Sequence, residues 1–206
     1  MTKYFLYNND IPDSFVPADQ VAIDTESMGL INRRDRLCLV QISNGDNIAH
    51  LVKFDGTNYS APNLREKILE NENVLKIFHF GRFDIAIMLQ YIGALTKPSY
   101  CTKIASRLAR TYTDHHSLRE LCFECLGIRI NKSQQTSDWG MQTLTKEQIS
   151  YASLDVMHLH SIKKRLDSML KREDRLDIAQ ASFDFLPYRA KIDVMGWEQD
   201  IFSHKV

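Results

Sequence analysis

Apolar residues follow two rhythms along this chain. Short, β-rich runs at 21–24, 37–42, 47–52 and 74–78 are mostly apolar and read as strands. The first three lie close enough in sequence to pair as a meander, with Asn44-Gly45-Asp46 as a turn. Helical spacing occupies 62–71 and 82–92. Ser117-Leu118-Arg119-Glu120 and Thr145-Lys146-Glu147-Gln148 each match a capping box, in which the fourth side chain reaches back to the cap. They open predicted helices over 118–126 and 146–171, with Gly127 closing the first. Residues 131–140 are polar and turn-rich, hence a loop. From about 174 the spacing is helical to Phe185, and Pro187 is expected to end that helix. The apolar Trp197, Ile201 and Phe202 beyond it are expected to pack on the domain or on a neighbouring subunit. A strand meander followed by alternating helices and strands indicates an α/β fold with a mixed sheet.

Composition narrows the class. The chain has 206 residues, 44% hydrophobic and 25% charged, an ordinary balance for one α/β domain with its own core. No apolar run approaches the length of a membrane span, so no membrane partner is expected. Met1-Thr2-Lys3-Tyr4 opens without a signal-peptide pattern, and a cytoplasmic location is expected. The four cysteines do not suggest a disulfide framework. Cys122 and Cys125 have the spacing of half a zinc site, but no second ligand pair follows at finger spacing, and they read as buried thiols on a helix. The 26 basic and 26 acidic residues cancel. A neutral chain suits a short nucleic acid or a locally basic groove better than a long non-specific track.

The acids that remain unexplained by folding carry the chemistry. Asp24 and Glu26 stand two apart on a strand and so share a face. Adjacent carboxylates on an apolar sheet repel one another and resist desolvation, whereas a divalent cation reconciles them. A solvent-facing pair at a strand end is the plain alternative. Asp84 opens a helix after a strand, where an acid is also favoured by the helix dipole. Tyr151 and Asp155 are four apart on a helix and share a face that is partly apolar, which a structural hydrogen bond would also satisfy. Four carboxylates on three elements fit a two-metal hydrolase site, in which ions about 3.5–4 Å apart serve an in-line displacement. Tyrosine titrates near ~10, so Tyr151 suits orienting an attacking water better than acting as a base.

At these residues the chain resembles the DEDD exonuclease superfamily. The motifs match as Asp24-x-Glu26, His79-x₄-Asp84 and Tyr151-x₃-Asp155, and the tyrosine four before the last aspartate marks the DEDDy branch. The run from Asp35 to Ile42, Ser137-Asp138-Trp139, and Leu144-Thr145-x-x-Gln148-x-x-Tyr151-Ala152-x-x-Asp155 look like ribonuclease D relatives. Ribonuclease D proper carries further helical domains, and its Arg-Pro-Leu reads Gln142-Thr143-Leu144 here. A short chain with Asp24-Thr25-Glu26-Ser27-Met28-Gly29-Leu30 is most similar to the nanoRNase C group.

The resemblance implies an RNase-H-like mixed five-stranded sheet flanked by helices. It also implies a single exonuclease domain over 1–172 with a helical C-terminal extension over 173–206. It implies two Mg²⁺ or Mn²⁺ ions on Asp24, Glu26, Asp84 and Asp155, with Tyr151 completing the catalytic set. The substrate would be short RNA, notably dinucleotides, and the assembly a homo-oligomer, an octameric ring. Leu30 would be a wedge between two bases, or else an ordinary leucine returning to the core. His79, Thr25, Met28 and Gly29 would border the substrate. Arg33, Arg34 and Arg36 could grip phosphate or form a solvated loop. Rival readings are an exonuclease of DNA or of longer structured RNA, and a non-catalytic RNA-binding module, which the complete acidic set disfavours.

Overall fold

In a computed structural model the described residues are 3–130, 137–197 and 199–204. Six strands form one mixed sheet: β1 (Lys3–Asn8), β2 (Gln20–Ser27), β3 (Leu37–Ser43), β4 (Ile48–Lys53), β5 (Leu75–Phe78) and β6 (Ser99–Cys101). The order across the sheet is β1-β4-β3-β2-β5-β6. The meander β2-β3-β4 is antiparallel, as its short connections require, while β1, β5 and β6 join parallel to their neighbours. Every residue of β3 is buried, because the centre of the sheet is covered on both faces.

The sheet has six strands, not the expected five. β1 is the additional edge strand, and it shows no alternation of apolar and polar residues to announce it. Tyr4, Phe5 and Leu6 are all exposed, and its pairing with β4 lies more than forty residues away in sequence. Among the described residues no helix is long and apolar enough to cross a membrane.

Helices α1 (Pro62–Leu64, continuing as a wider turn over Arg65–Leu69), α2 (Arg82–Tyr91), α3 (Thr102–Ala109), α4 (Leu118–Leu126), α5 (Lys146–Met157), α6 (Leu159–Arg172) and α7 (Leu176–Met195) flank the sheet. Both capping boxes form, at Ser117 and Thr145, and Gly127 closes α4 in the left-handed conformation. Two helical expectations need correction. The segment expected as one helix over 146–171 is divided at His158 into α5 and α6. Pro187 does not end the last helix but lies inside α7. Proline deprives the carbonyl four residues earlier of its donor. That carbonyl belongs to Phe183, and the Ser99 hydroxyl of β6 donates to it at 3.2 Å. Part of the loop expected over 131–140, residues 131–136, lies outside the described residues.

Helix α5 packs across β2, β3 and β4, whereas α7 runs along α2 and α3. All four cysteines are free thiols, with Cys38, Cys101 and Cys122 buried.

Candidate active site

The alternation of β2 sorts its side chains between two faces. Asp24 and Glu26 turn towards α5, while Thr25 between them reaches the other way and donates its hydroxyl to Asp84 Oδ1 at 2.6 Å. Asp84 stands in the first turn of α2 and is 4% exposed. Asp155, one turn beyond Tyr151 on α5, completes the cluster from above the sheet. Ligand oxygens of Asp24, Glu26 and Asp155 lie within 4.8 Å of one another. All four acids and Tyr151 line one open cleft of about 920 Å³.

The electrostatics of this cluster are unfavourable for an isolated protein. Burial, followed by the charges of Asp84, Asp155 and Glu26, holds the Asp24 carboxyl well above its usual range. Burial and the neighbouring charges of Asp155 and Asp84 push Glu26 up to about 9. Burial raises Asp84 to about 7 against the lowering effect of the Thr25 hydroxyl. Three hard oxygen donors at ion-binding separation, two of which, Asp24 and Glu26, resist ionisation without a counter-charge, fit a divalent cation.

Tyr151 hydrogen-bonds Asp155, and burial followed by that carboxylate's charge pushes its hydroxyl far above the ordinary tyrosine range. It therefore keeps its proton. Its ring lies 6.1 Å from that of Trp139, which is buried. The Ser137–Trp139 segment is strapped down by Gln148. The amide of Gln148 caps α5 through the Thr145 N–H and donates to Ser137 Oγ at 3.1 Å and to the Asp138 carbonyl at 2.9 Å. One glutamine thus fixes both the helix that carries Tyr151 and Asp155 and the tryptophan behind the tyrosine ring.

The loop between β2 and β3 forms the rim. Leu30 is 86% exposed, which excludes the reading of an ordinary core leucine. Met28 is half-exposed, and both line the cleft with Gly29. Gly29 has a steric reason to be glycine, since a Cβ there would sit 2.3 Å from Asp35 Oδ2. The arginine run divides. Arg34 is taken up by Asp35 and Arg36 donates to the Gly140 carbonyl, whereas Arg33 lines the cleft. His79 lines it too, with Nδ1 2.9 Å from Thr102 Oγ1. Thr102 gives its hydroxyl proton to the Phe78 carbonyl, so His79 donates from Nδ1.

Sequence reasoning missed Phe80, Lys103, Arg82 and Asp193, all of which line the cleft. Phe80 is 48% exposed at φ 67°, with the Lys103 ammonium 4.6 Å above its ring. A bulky residue in the left-handed region is costly, and no residue pattern signals it. Arg82, two residues from Asp84, makes a two-pronged ion pair with Asp193 near the end of α7, at 2.6 and 2.8 Å. The separation of 111 positions along the chain hid the pair.

A family model described as 3′-5′ exonuclease matches residues 10–171, most of the chain and all four acids and Tyr151 of this site. The chain belongs to the 3′-5′ exonuclease family. Within that family it is of the ribonuclease-D-like, DEDDy type. Ribonuclease D of Gluconacetobacter diazotrophicus is 32% identical over 157 residues, covering 76% of this chain and 39% of that protein. The chain thus spans about two fifths of the length of the curated relatives it matches. Brucella melitensis NrnC bound to pGG is 46% identical with a TM-score of 0.96, over 100% of both chains. The same NrnC with bound Mg²⁺ is 45% identical at a TM-score of 0.94, over 98% of this chain and 100% of that one. Escherichia coli RNase D, at 23% identity and a TM-score of 0.74 over 84% of this chain and 45% of its own, shares the fold. Divalent metal is the cofactor of this exonuclease family, and the donor set on β2 and α5 suits it.

Proposed function

We propose that this chain is a metal-dependent 3′→5′ exoribonuclease that hydrolyses very short RNA, dinucleotides above all, to 5′-mononucleotides. One observation carries the reading: a carboxylate cluster and an almost fully exposed leucine line the same cleft. The full-length likeness to an NrnC bound to pGG supports it.

In this reading Asp24, Glu26 and Asp155, with Asp84 steadied by Thr25, hold two Mg²⁺ or Mn²⁺ ions. Bound divalent ions supply Lewis-acid charge for hydrolysis of a phosphodiester. The chain's own groups do the rest. Tyr151 keeps its proton and orients the attacking water from beside Asp155. His79 meets the substrate backbone, and Leu30 inserts between the two bases, flanked by Met28 and Gly29. Apolar contact with bases is sequence-tolerant, as a scavenger of varied short RNAs requires.

The proposal extends to organisation. Residues 1–172 form the exonuclease domain, with 173–206 as a helical extension, in a cytoplasmic homo-oligomer, an octameric ring. The open edge of β1 with exposed Tyr4, Phe5 and Leu6 supports assembly, because natural sheets seldom leave an apolar edge uncovered.

The test is digestion of end-labelled RNA and DNA of two to twenty nucleotides, with and without EDTA. Dinucleotide RNA should be cut fastest, and only with metal present. Equal or faster cleavage of long RNA or of DNA would replace this reading with the broader exonuclease one. Light scattering on the same preparation checks the assembly, and a monomer would remove that part.

A further inference from the structure

Gln41 does not suit its surroundings. It stands in β3 among Leu39, Val40 and Ile42, fully buried, and neither Oε1 nor Nε2 finds a hydrogen-bond partner among the described residues. Burying an amide with both polar atoms unsatisfied destabilises a fold, and an apolar side chain of similar volume here would remove that penalty. Folding therefore does not explain this residue.

The register gives it a neighbour. Gln41 lies directly opposite Asp24 in the antiparallel β2–β3 pair. Opposed residues project from the same face with Cβ atoms about 4.5–5.5 Å apart, so the amide stands beside the carboxylate on the face covered by α5. Asp84 has a side-chain anchor, the Thr25 hydroxyl. Asp24 accepts from the Thr25 backbone N–H, and among the described residues no side-chain hydroxyl or amide is bonded to it in the same way. Metal-ligating carboxylates depend on such outer hydrogen bonds to fix their rotamer.

We infer that Gln41 is a positioning residue for Asp24: when a divalent cation is bound, Nε2–H donates to the Asp24 oxygen turned away from the ion and holds the carboxylate in its ligating orientation. This rests on the proposed role of Asp24 as a metal ligand.

The experiment compares wild type, Gln41→Met and Asp24→Asn as full chains, measuring Mn²⁺ affinity by calorimetry and metal-free stability by urea unfolding. Gln41→Met should weaken Mn²⁺ binding about 10–100-fold, with an unfolding midpoint equal to or above that of wild type. Its lost hydrolysis should return at saturating Mn²⁺. Wild-type Mn²⁺ affinity in Gln41→Met, while Asp24→Asn loses binding, overturns the inference alone. A lowered midpoint in Gln41→Met overturns it as well, by making the amide structural. Undiminished binding in Asp24→Asn removes the underlying metal assignment instead.

Discussion

Two of the places where charge is buried in this molecule are built in opposite ways. Arg110, at the end of α3, is 1% exposed and fully answered. Its Nη1 donates to Ser106 Oγ at 3.1 Å and to the His115 carbonyl at 2.8 Å, and its Nη2 pairs with Glu124 on α4. At the cleft, Asp24, Glu26, Asp84 and Asp155 meet one another instead, and burial together with like charge raises the affinity of Asp24, Glu26 and Asp84 for protons. The first arrangement is complete in the protein alone. The second is complete only with positive charge from outside, and that distinction separates a structural charge from a functional one.

The contrast breaks most sharply by mutation. Asp24→Asn or Asp155→Asn should lower kcat by about three orders of magnitude while leaving the metal-free unfolding midpoint unchanged or higher. Arg110→Met should do the reverse. It removes the partner of the His115 carbonyl at a cost of about 1–3 kcal/mol, Ser106 keeping His116 Nδ1 and Glu124 being exposed enough to rehydrate, yet the folded fraction should keep its kcat. Paired urea unfolding and single-turnover rates check both. Activity surviving in either aspartate variant would show that the cluster is not the ligand set.

Next in size is Tyr151→Phe. An interaction made in the transition state appears in kcat, so kcat should fall about 10²-fold or more with little change in KM. An effect confined to KM would make the hydroxyl a binding group. Leu30→Ala should cost about 10- to 100-fold in kcat/KM on a dinucleotide, the worth of about 1–3 kcal/mol for one base contact. Seven-nucleotide RNA has further contacts and should suffer less. Equal losses at both lengths would deny the wedge.

The smallest effect is a slope. Glu26 is raised from an ordinary 4.5 to about 9 and Asp84 from 3.8 to about 7, so the metal-free folded state holds protons that the unfolded chain has released. Their contribution to stability is full below about pH 4, then declines as pH rises through 7 towards 9. Thermal melts from pH 5 to 9 should show this decline without metal and a flatter profile with Mn²⁺, which binds only the folded state. Parallel profiles would mean that the ion does not relieve the repulsion.

Much of the site was legible in the sequence because local rules govern it. Two-residue alternation put Asp24 and Glu26 on one face, four-residue spacing did the same for Tyr151 and Asp155, and capping boxes located α4 and α5. What escaped was fixed by distant partners. β1 pairs far along the chain, α7 passes through Pro187 because Ser99 serves the freed carbonyl, and Arg82 finds Asp193 across 111 residues. The φ of Phe80 belongs to the same class, since the residue type argues against it.

The staple on the Leu30 loop has a consequence for the smallest ligand the cleft can hold. Asp35 accepts from the Ile31 N–H at 2.9 Å and from Arg34 at 2.7 and 3.0 Å, and it packs where only a glycine at position 29 leaves room. The loop is therefore ordered before any ligand arrives, and its conformational entropy is lost on folding instead of on association. For the dinucleotide proposed as substrate, which offers few contacts to set against its own lost translational freedom, preorganisation of the rim would set the threshold of recognition. A longer strand could bind a slack loop, but a dinucleotide needs a rigid one.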